Sequence, residues 1–181
     1  MKKKIIVVTG NNGKWEEYKR ILGSDIKRNQ FLIDEIQGSI YDIINEKIRS
    51  IIDLQWLKNH IVIVEDTSLL FDKWGGMPGP YIKDFLKHMG KQSLAQAVEG
   101  SGATAICMVA VSIDGKIQIF KGKVRGTIVS SRGMNGFGWD SIFIPDGETL
   151  TYAQMTPDAK DKCSDRAIVL KKVREFLSLD Q

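Results

Sequence analysis

Ile5 to Val8 is an apolar run that stops at Thr9-Gly10-Asn11-Asn12-Gly13-Lys14, where the residue types suit an anion. Glycine and asparagine tolerate left-handed backbone and leave N–H groups free to converge on a negative charge. Lys14 falls in the first turn of the helix that follows, where the helix dipole favours phosphate. The G-x-x-x-x-G-K-[ST] spacing of a Walker loop is absent. A phosphate site and a plain strand-to-helix turn with an exposed lysine therefore both stay open on this segment alone. A second apolar run, Ile61 to Val64, ends at Glu65-Asp66. Adjacent carboxylates at the C-terminal edge of a strand suit a hard divalent ion such as Mg²⁺, or a general base. Solvated loop acids are the alternative. Glu35, read as the end of another strand, is placed to complete a metal site. A phosphate-binding turn with carboxylates points to metal-assisted phosphoryl chemistry.

Two further clusters lie in the C-terminal half. Phe137 and Trp139 alternate with Gly136 and Gly138 in "SSRGMNGFGWD", so they either stack on a base or pack in a core. Lys160 and Ser164 are one helical turn apart, with Arg166 close by. His60 and His88 have no ligand-like neighbours in the sequence, and Met77 and Met155 read as packing residues.

The elements that must position these groups alternate between strand and helix. The first strand is read as Lys4 to Thr9, with the continuous β-branched character of a strand buried on both faces. Trp15, Tyr18, Ile21 and Leu22 follow at helical spacing, and Gly23 is the stop. The pattern then predicts a strand over Phe31 to Glu35 and a helix from about Tyr41 to Leu57. After "WGGMPGPY" come short helices to about Val98. A meander follows over Ala105 to Ile113, Lys116 to Lys123 and Val124 to Val129, with Asp114-Gly115 as a hairpin turn. A short strand, Ser141 to Ile144, and a final helix from about Asp158 to Leu177 complete an α/β chain with a mixed sheet. No repeat, linker or low-complexity segment interrupts it.

The chain has 181 residues, 43% of them hydrophobic and 27% charged, which fits one globular domain with a substantial core. Its formal charge of +4 mildly favours an anionic ligand, although part of the excess is the run Lys2-Lys3-Lys4. Cys107 and Cys163 lie far apart without metal-ligand spacing, which favours a reducing compartment. No apolar stretch reaches the roughly 18 residues of a membrane helix, and Lys2 to Val8 is too short for a signal-peptide core. A cytoplasmic protein is expected, with neither membrane nor nucleic-acid partners.

The segments "TGNNGKWEE", "EIQG", "EDTSLLF", "GGMPGPYIKDFL", "GFGWDSIFIPDG", "TYAQM" and "KDKCSDRA" run in order from Thr9 to Ala167. In that order the chain resembles the inosine triphosphate pyrophosphatase family, which hydrolyses non-standard purine nucleoside triphosphates to the monophosphate and pyrophosphate. The resemblance implies a single domain over residues 1–181 with an elongated α/β fold, its two lobes flanking a nucleotide cleft, and a homodimer. It implies that Thr9, Gly10, Asn11, Asn12, Gly13 and Lys14 hold the triphosphate with Lys47 and Lys83. Glu35 and Asp66 would engage Mg²⁺, Asp66 would also be the general base, and Thr67 would contact substrate. Phe137, Gly138, Trp139 and Asp140 would enclose the base, and Lys160 and Arg166 would close over the nucleotide.

Two positions depart from the family pattern. Asp165 stands where histidine is usual, which puts base recognition in question, and Gln154 stands where glutamate is usual. ITP, dITP and XTP are the expected substrates. The alternatives are a broad or modified-pyrimidine triphosphate pyrophosphatase and a nucleotide-binding module with weak turnover. The terminal Gln181 is also the residue that a glutamine-specific viral protease leaves, and some plant RNA viruses carry a similar polyprotein segment, so a viral origin is a further expectation.

Overall fold

The computed structural model describes residues 3–179; Gln181, on which the expectation of a viral origin rests, lies outside them. Among the described residues seven strands form one mixed sheet in the order β2-β1-β3-β5-β6-β7, with β4 paired to β3. They are β1 Lys4–Val8, β2 Ile26–Asn29, β3 His60–Phe71, β4 Pro78–Gly79, β5 Gly102–Ile113, β6 Lys116–Ile128 and β7 Phe143–Pro145. The helices are α1 Asn12–Leu22, α2 Ile40–Arg49, α3 Ile82–Met89, α4 Lys91–Ala97, α5 Pro157–Cys163 and α6 Asp165–Phe176. The predicted mixed α/β class is what the chain adopts.

Contacts divide the chain into two compact units. The first takes the described residues up to Asp66, then Cys107–Lys121, and the chain from Val169 onward. In it β1 pairs in parallel with both β2 and β3, with Ile5 opposite Ile26 and Ile61. Parallel strands need crossover helices, which α1 and α2 provide. Since such crossovers are right-handed, the order β2-β1-β3 puts α1 and α2 on opposite faces of these strands. A capping box between Ser39 and Asp42 starts α2, whose buried face consists of Ile43, Ile44, Lys47 and Ile48. Ile44 and Ile48 are fully buried, each stabilising the unit by about 2 kcal/mol. Lys47 therefore projects from the apolar face of its helix.

The second unit comprises Thr67–Ile106 and Gly122–Ile168. Its core gathers Leu69, Phe71, Leu94, Ile128, Ile142, Phe143 and Tyr152. β7 pairs antiparallel with β6, with Gly126 opposite Pro145. Here a side chain has no room, because a Cβ on Gly126 would lie 2.2 Å from the Ile144 carbonyl oxygen.

Several boundaries differ from the sequence reading. Phe31 to Glu35 is not a strand; β2 lies earlier, and Leu32 is 87% exposed, so this apolar run covers no core. The helix expected to Leu57 ends at Arg49. Ile51, beyond its end, is still buried, so the helical spacing of isoleucines there reports burial and not helix. β3 does not stop at Val64 but continues through Glu65 and Asp66 to Phe71. β5 starts at Gly102, and the two strands expected over Lys116 to Val129 are one continuous β6. The strand expected at Ser141 to Ile144 is a 3₁₀ turn, Asp140–Ile142, followed by β7.

The final helix is likewise two. Ser164 takes extended backbone (φ −78°, ψ 151°) between α5 and α6, and its Oγ accepts the Ala167 N–H at 3.1 Å. It ends one helix and caps the next.

Candidate active site

The first unit holds the glycine-asparagine turn and the carboxylates. Asn11 is the N-cap of α1, its Oδ1 accepting the Lys14 N–H at 3.0 Å. The Asn11 N–H donates to Thr9 Oγ1 at 3.2 Å. Among the described residues none accepts from the N–H groups of Gly10, Asn12 or Gly13. This leaves donors at a helix N-terminus, where an anion is favoured.

Glu65 and Asp66 are both buried, at 7% and 8% exposure. Neighbours on a strand face opposite sides, and each carboxylate meets a lysine from a different helix. Lys14 of α1 lies 3.0 Å from Glu65 Oε1, whereas Lys47 of α2 donates to Asp66 Oδ1 at 2.6 Å. The expectation of an adjacent pair sharing a strand's C-terminal edge is therefore corrected, since they lie inside β3. Asp66 is joined instead by Glu35, whose Oε1 accepts from the same Lys47 Nζ at 2.8 Å. Glu35 is exposed and sits in irregular chain before α2, not at a strand end.

Burial pushes the Asp66 carboxyl above its ordinary value of 3.8, against the pull of Lys47 and Lys14. Burial alone would lower Lys47, but the charges and hydrogen bonds of Asp66 and Glu35 prevail and hold it above 10.5. The folded state thus keeps the Lys47 proton more tightly than the unfolded chain. Its stabilisation is complete below the unfolded value and is lost as pH rises through the raised one. Asp66 is raised too, so what it contributes is present below 3.8 and lost as pH climbs through its folded value. Denaturant titrations between about pH 10 and 12 should show the wild type losing stability more steeply than Lys47→Met. Equal slopes would mean that Lys47 is not held in this way.

Glu35 and Asp66 bring carboxylate oxygens to one cation, the Lys47 ammonium. Hard oxygen donors in this number fit Mg²⁺, which is commonly held by one or two carboxylates together with substrate phosphates and water. No cluster of three His, Cys, Asp or Glu side chains exists among the described residues. A fit therefore depends on oxygens brought by the substrate.

The second unit carries the remaining predicted residues. Lys83 is exposed on α3, and Thr67 is half-buried on β3. Asp140 is buried, and its Oδ2 accepts the Phe137 N–H at 2.8 Å and the Lys160 ammonium at 2.7 Å. This return of Asp140 onto its own loop leaves no space at Gly136, where a Cβ would lie 2.1 Å from Asp140 Oδ2. Lys160 Nζ lies 4.8 Å from the centre of the Phe137 ring, and the Arg166 guanidinium 5.3 Å from it. Trp139 packs edge-on against Phe143 and beside Tyr152, with centroids 5.4 and 5.9 Å away. Phe137, Gly138, Asp140, Lys160 and Arg166 thus form one neighbourhood, with Trp139 turned to the core. Asp165 is buried in the first turn of α6, where the helix dipole favours an acid.

Two residues not singled out from sequence have roles here. Tyr152 lies beneath Lys160, and burial, then the Asp165 charge, pushes its hydroxyl well above the ordinary value. Arg28 of β2 donates from Nε to the Thr9 carbonyl at 2.9 Å and from Nη1 to Asn12 Oδ1 at 2.8 Å. A cation one residue before the end of a strand gives little local signal; its register opposite Val7 is what brings it to the turn.

An anion-ready turn and carboxylates held by lysines at parallel strands define an α/β protein built for phosphate chemistry. The model of the Ham1 family matches residues 5–176, and the chain belongs to that family. It is 39% identical to the inosine triphosphate pyrophosphatase of Schizosaccharomyces pombe, over 98% of this chain and 96% of that one. The protein of the same name from Puccinia graminis f. sp. tritici is also 39% identical, over 97% of each chain. Among solved structures, the Ham1 protein of Staphylococcus aureus superposes with a TM-score of 0.72 at 25% identity, covering 97% of this chain and 98% of that one. No helix among the described residues is long and apolar enough to cross a membrane.

Proposed function

We propose that the chain is a Mg²⁺-dependent pyrophosphohydrolase that cleaves ITP, dITP and XTP to the monophosphate and pyrophosphate, removing non-standard purines from the nucleotide pool. The observation that carries this reading is the Lys47 ammonium binding Asp66 and Glu35 together, in a chain so similar to the S. pombe inosine triphosphate pyrophosphatase.

Asp66 is the base. Burial raises its proton affinity, as a general base requires, and it takes the proton of a water whose oxygen bonds to the α-phosphorus. The bond from that phosphorus to the bridging oxygen breaks, and pyrophosphate leaves with the electron pair. Lys14 and the open N–H groups of the turn hold the phosphates, and Lys47 keeps Asp66 oriented. Glu35 and Asp66 would hold a divalent ion, which when bound would supply positive charge for the phosphate oxygens and lower the proton affinity of water. Lys83 and Thr67 add phosphate contacts. Phe137, Gly138 and Asp140, with Lys160, Asp165 and Arg166, receive the base, and Trp139, turned to the core, braces their loop from behind. A cytoplasmic homodimer belongs to the same reading, and light scattering checks its mass.

A steady-state panel of ITP, XTP, dUTP, ATP and GTP with Mg²⁺ is the test. ITP and XTP should be turned over far faster than ATP and GTP, with pyrophosphate as product, and EDTA should abolish turnover. ATP hydrolysed as fast as ITP, direct release of orthophosphate, or EDTA-resistant turnover would each contradict the reading. A preference for dUTP would move the assignment to pyrimidines.

A further inference from the structure

We infer that Arg28 is a positioning residue for triphosphate binding, setting the direction in which the Thr9–Lys14 turn presents its N–H groups; this rests on the phosphate role proposed for that turn. Arg28 is half-buried on β2, and its guanidinium is spent on the turn rather than on a carboxylate. Nε holds the Thr9 carbonyl at 2.9 Å and Nη1 holds Asn12 Oδ1 at 2.8 Å. With its amide oriented to satisfy both ends, the Gln30 side-chain oxygen accepts from Nη1 at 3.2 Å and Nη2 at 3.3 Å. The turn thus fixes the inner edge of the fork, and exposed Gln30 offers an acceptor at its outer edge.

The consequence follows from peptide geometry. A trans peptide is planar, and its C=O and N–H point in opposite directions. Holding the Thr9 carbonyl toward Arg28 turns the Gly10 N–H the other way, and no described residue accepts from it. Holding the Asn12 side chain at the first position of α1 keeps that amide from folding over the adjacent N–H groups. Gly10 is exposed, and a Cβ placed on it would have no heavy atom within 4 Å, so packing does not restrain it and, among the described residues, only the Asn11 N–H to Thr9 Oγ1 bond spans it from within the turn. A glycine-rich turn has large freedom to lose on binding, and Arg28 removes part of it beforehand. This arrangement serves ground state and transition state alike, so its loss belongs in KM and not in kcat.

The experiment compares wild type, Arg28→Ala and Arg28→Lys by ITP kinetics and by calorimetric titration with inorganic tripolyphosphate. In Arg28→Ala, KM for ITP and the dissociation constant for tripolyphosphate should both rise about tenfold, with kcat within about twofold. Arg28→Lys keeps the charge without the fork, and both constants should stay at least about fivefold raised. An unchanged KM, full rescue by lysine, or a fall in kcat at constant KM, as a merely structural loss would produce, overturns the inference. A wild type that neither binds tripolyphosphate nor hydrolyses ITP overturns the phosphate reading itself. Binding by the wild type that Arg28→Ala retains in full overturns only the role of Arg28.

Discussion

Asp66→Asn should lower kcat for ITP about a thousandfold while leaving KM within a few-fold. The amide has the shape of the carboxylate and can still accept from Lys47, whose Nζ lies 2.6 Å from Oδ1. It cannot take a proton from water, and it is a poor ligand for a hard cation. Both losses fall on the step in which water attacks, whereas Lys14, the turn and the base-side residues are untouched. Glu35→Gln should cost less, about ten- to a hundredfold, because Glu35 is exposed and has no part in moving the proton. Quenched-flow product analysis beside calorimetric binding of a non-hydrolysable ITP analogue separates the two steps. Asp66→Asn turning over within tenfold of wild type would place the base elsewhere. Loss of binding along with turnover would make Asp66 a binding group and remove its catalytic role.

How far these groups were legible in the sequence depended on how local their signals are. The turn after β1 was readable because glycine, asparagine and a helix N-cap act within a few residues, and Asn11 caps Lys14 as such a pattern demands. Glu65-Asp66 was only half readable. The acids themselves stand out, but β3 runs on beneath them, so strand alternation sends one to Lys14 and the other to Lys47. The junction of Glu35, Lys47 and Asp66 joins positions 12 and 19 residues apart, a distance over which spacing carries no periodic signal. Apolar runs misled at Phe31 and Leu32, which are exposed.

The break at Ser164 did carry a local signal. Serine followed by aspartate is a helix start, and the apolar spacing on either side concealed it. That capping arrangement also gives Asp165 a structural reason to be acidic, independent of any contact with a base.

Lys160→Met should destabilise the second unit by about 3–5 kcal/mol, because it leaves the Asp140 charge buried without the ammonium that compensates it. The two side chains are each 7% exposed and 2.7 Å apart, far from the exposed pairs worth less than about 1 kcal/mol. The Phe137 N–H would still reach Asp140 Oδ2, but a neutral donor does not replace a cation in a poorly solvated site. Methionine keeps most of the lysine volume, so packing against Phe137 and Tyr152 is largely retained and the cost is electrostatic. Adding Asp140→Asn to Lys160→Met should therefore recover about half of the loss, since the buried charge that lost its ammonium is gone, while Asp140→Asn alone destabilises less than Lys160→Met. Urea denaturation of the four proteins closes the cycle. Additive single and double changes would mean that the pair is not coupled. A coupled cycle with unchanged ITP kinetics in the double variant would assign the pair to holding the Phe137 loop, with base contact left to Phe137 and Arg166.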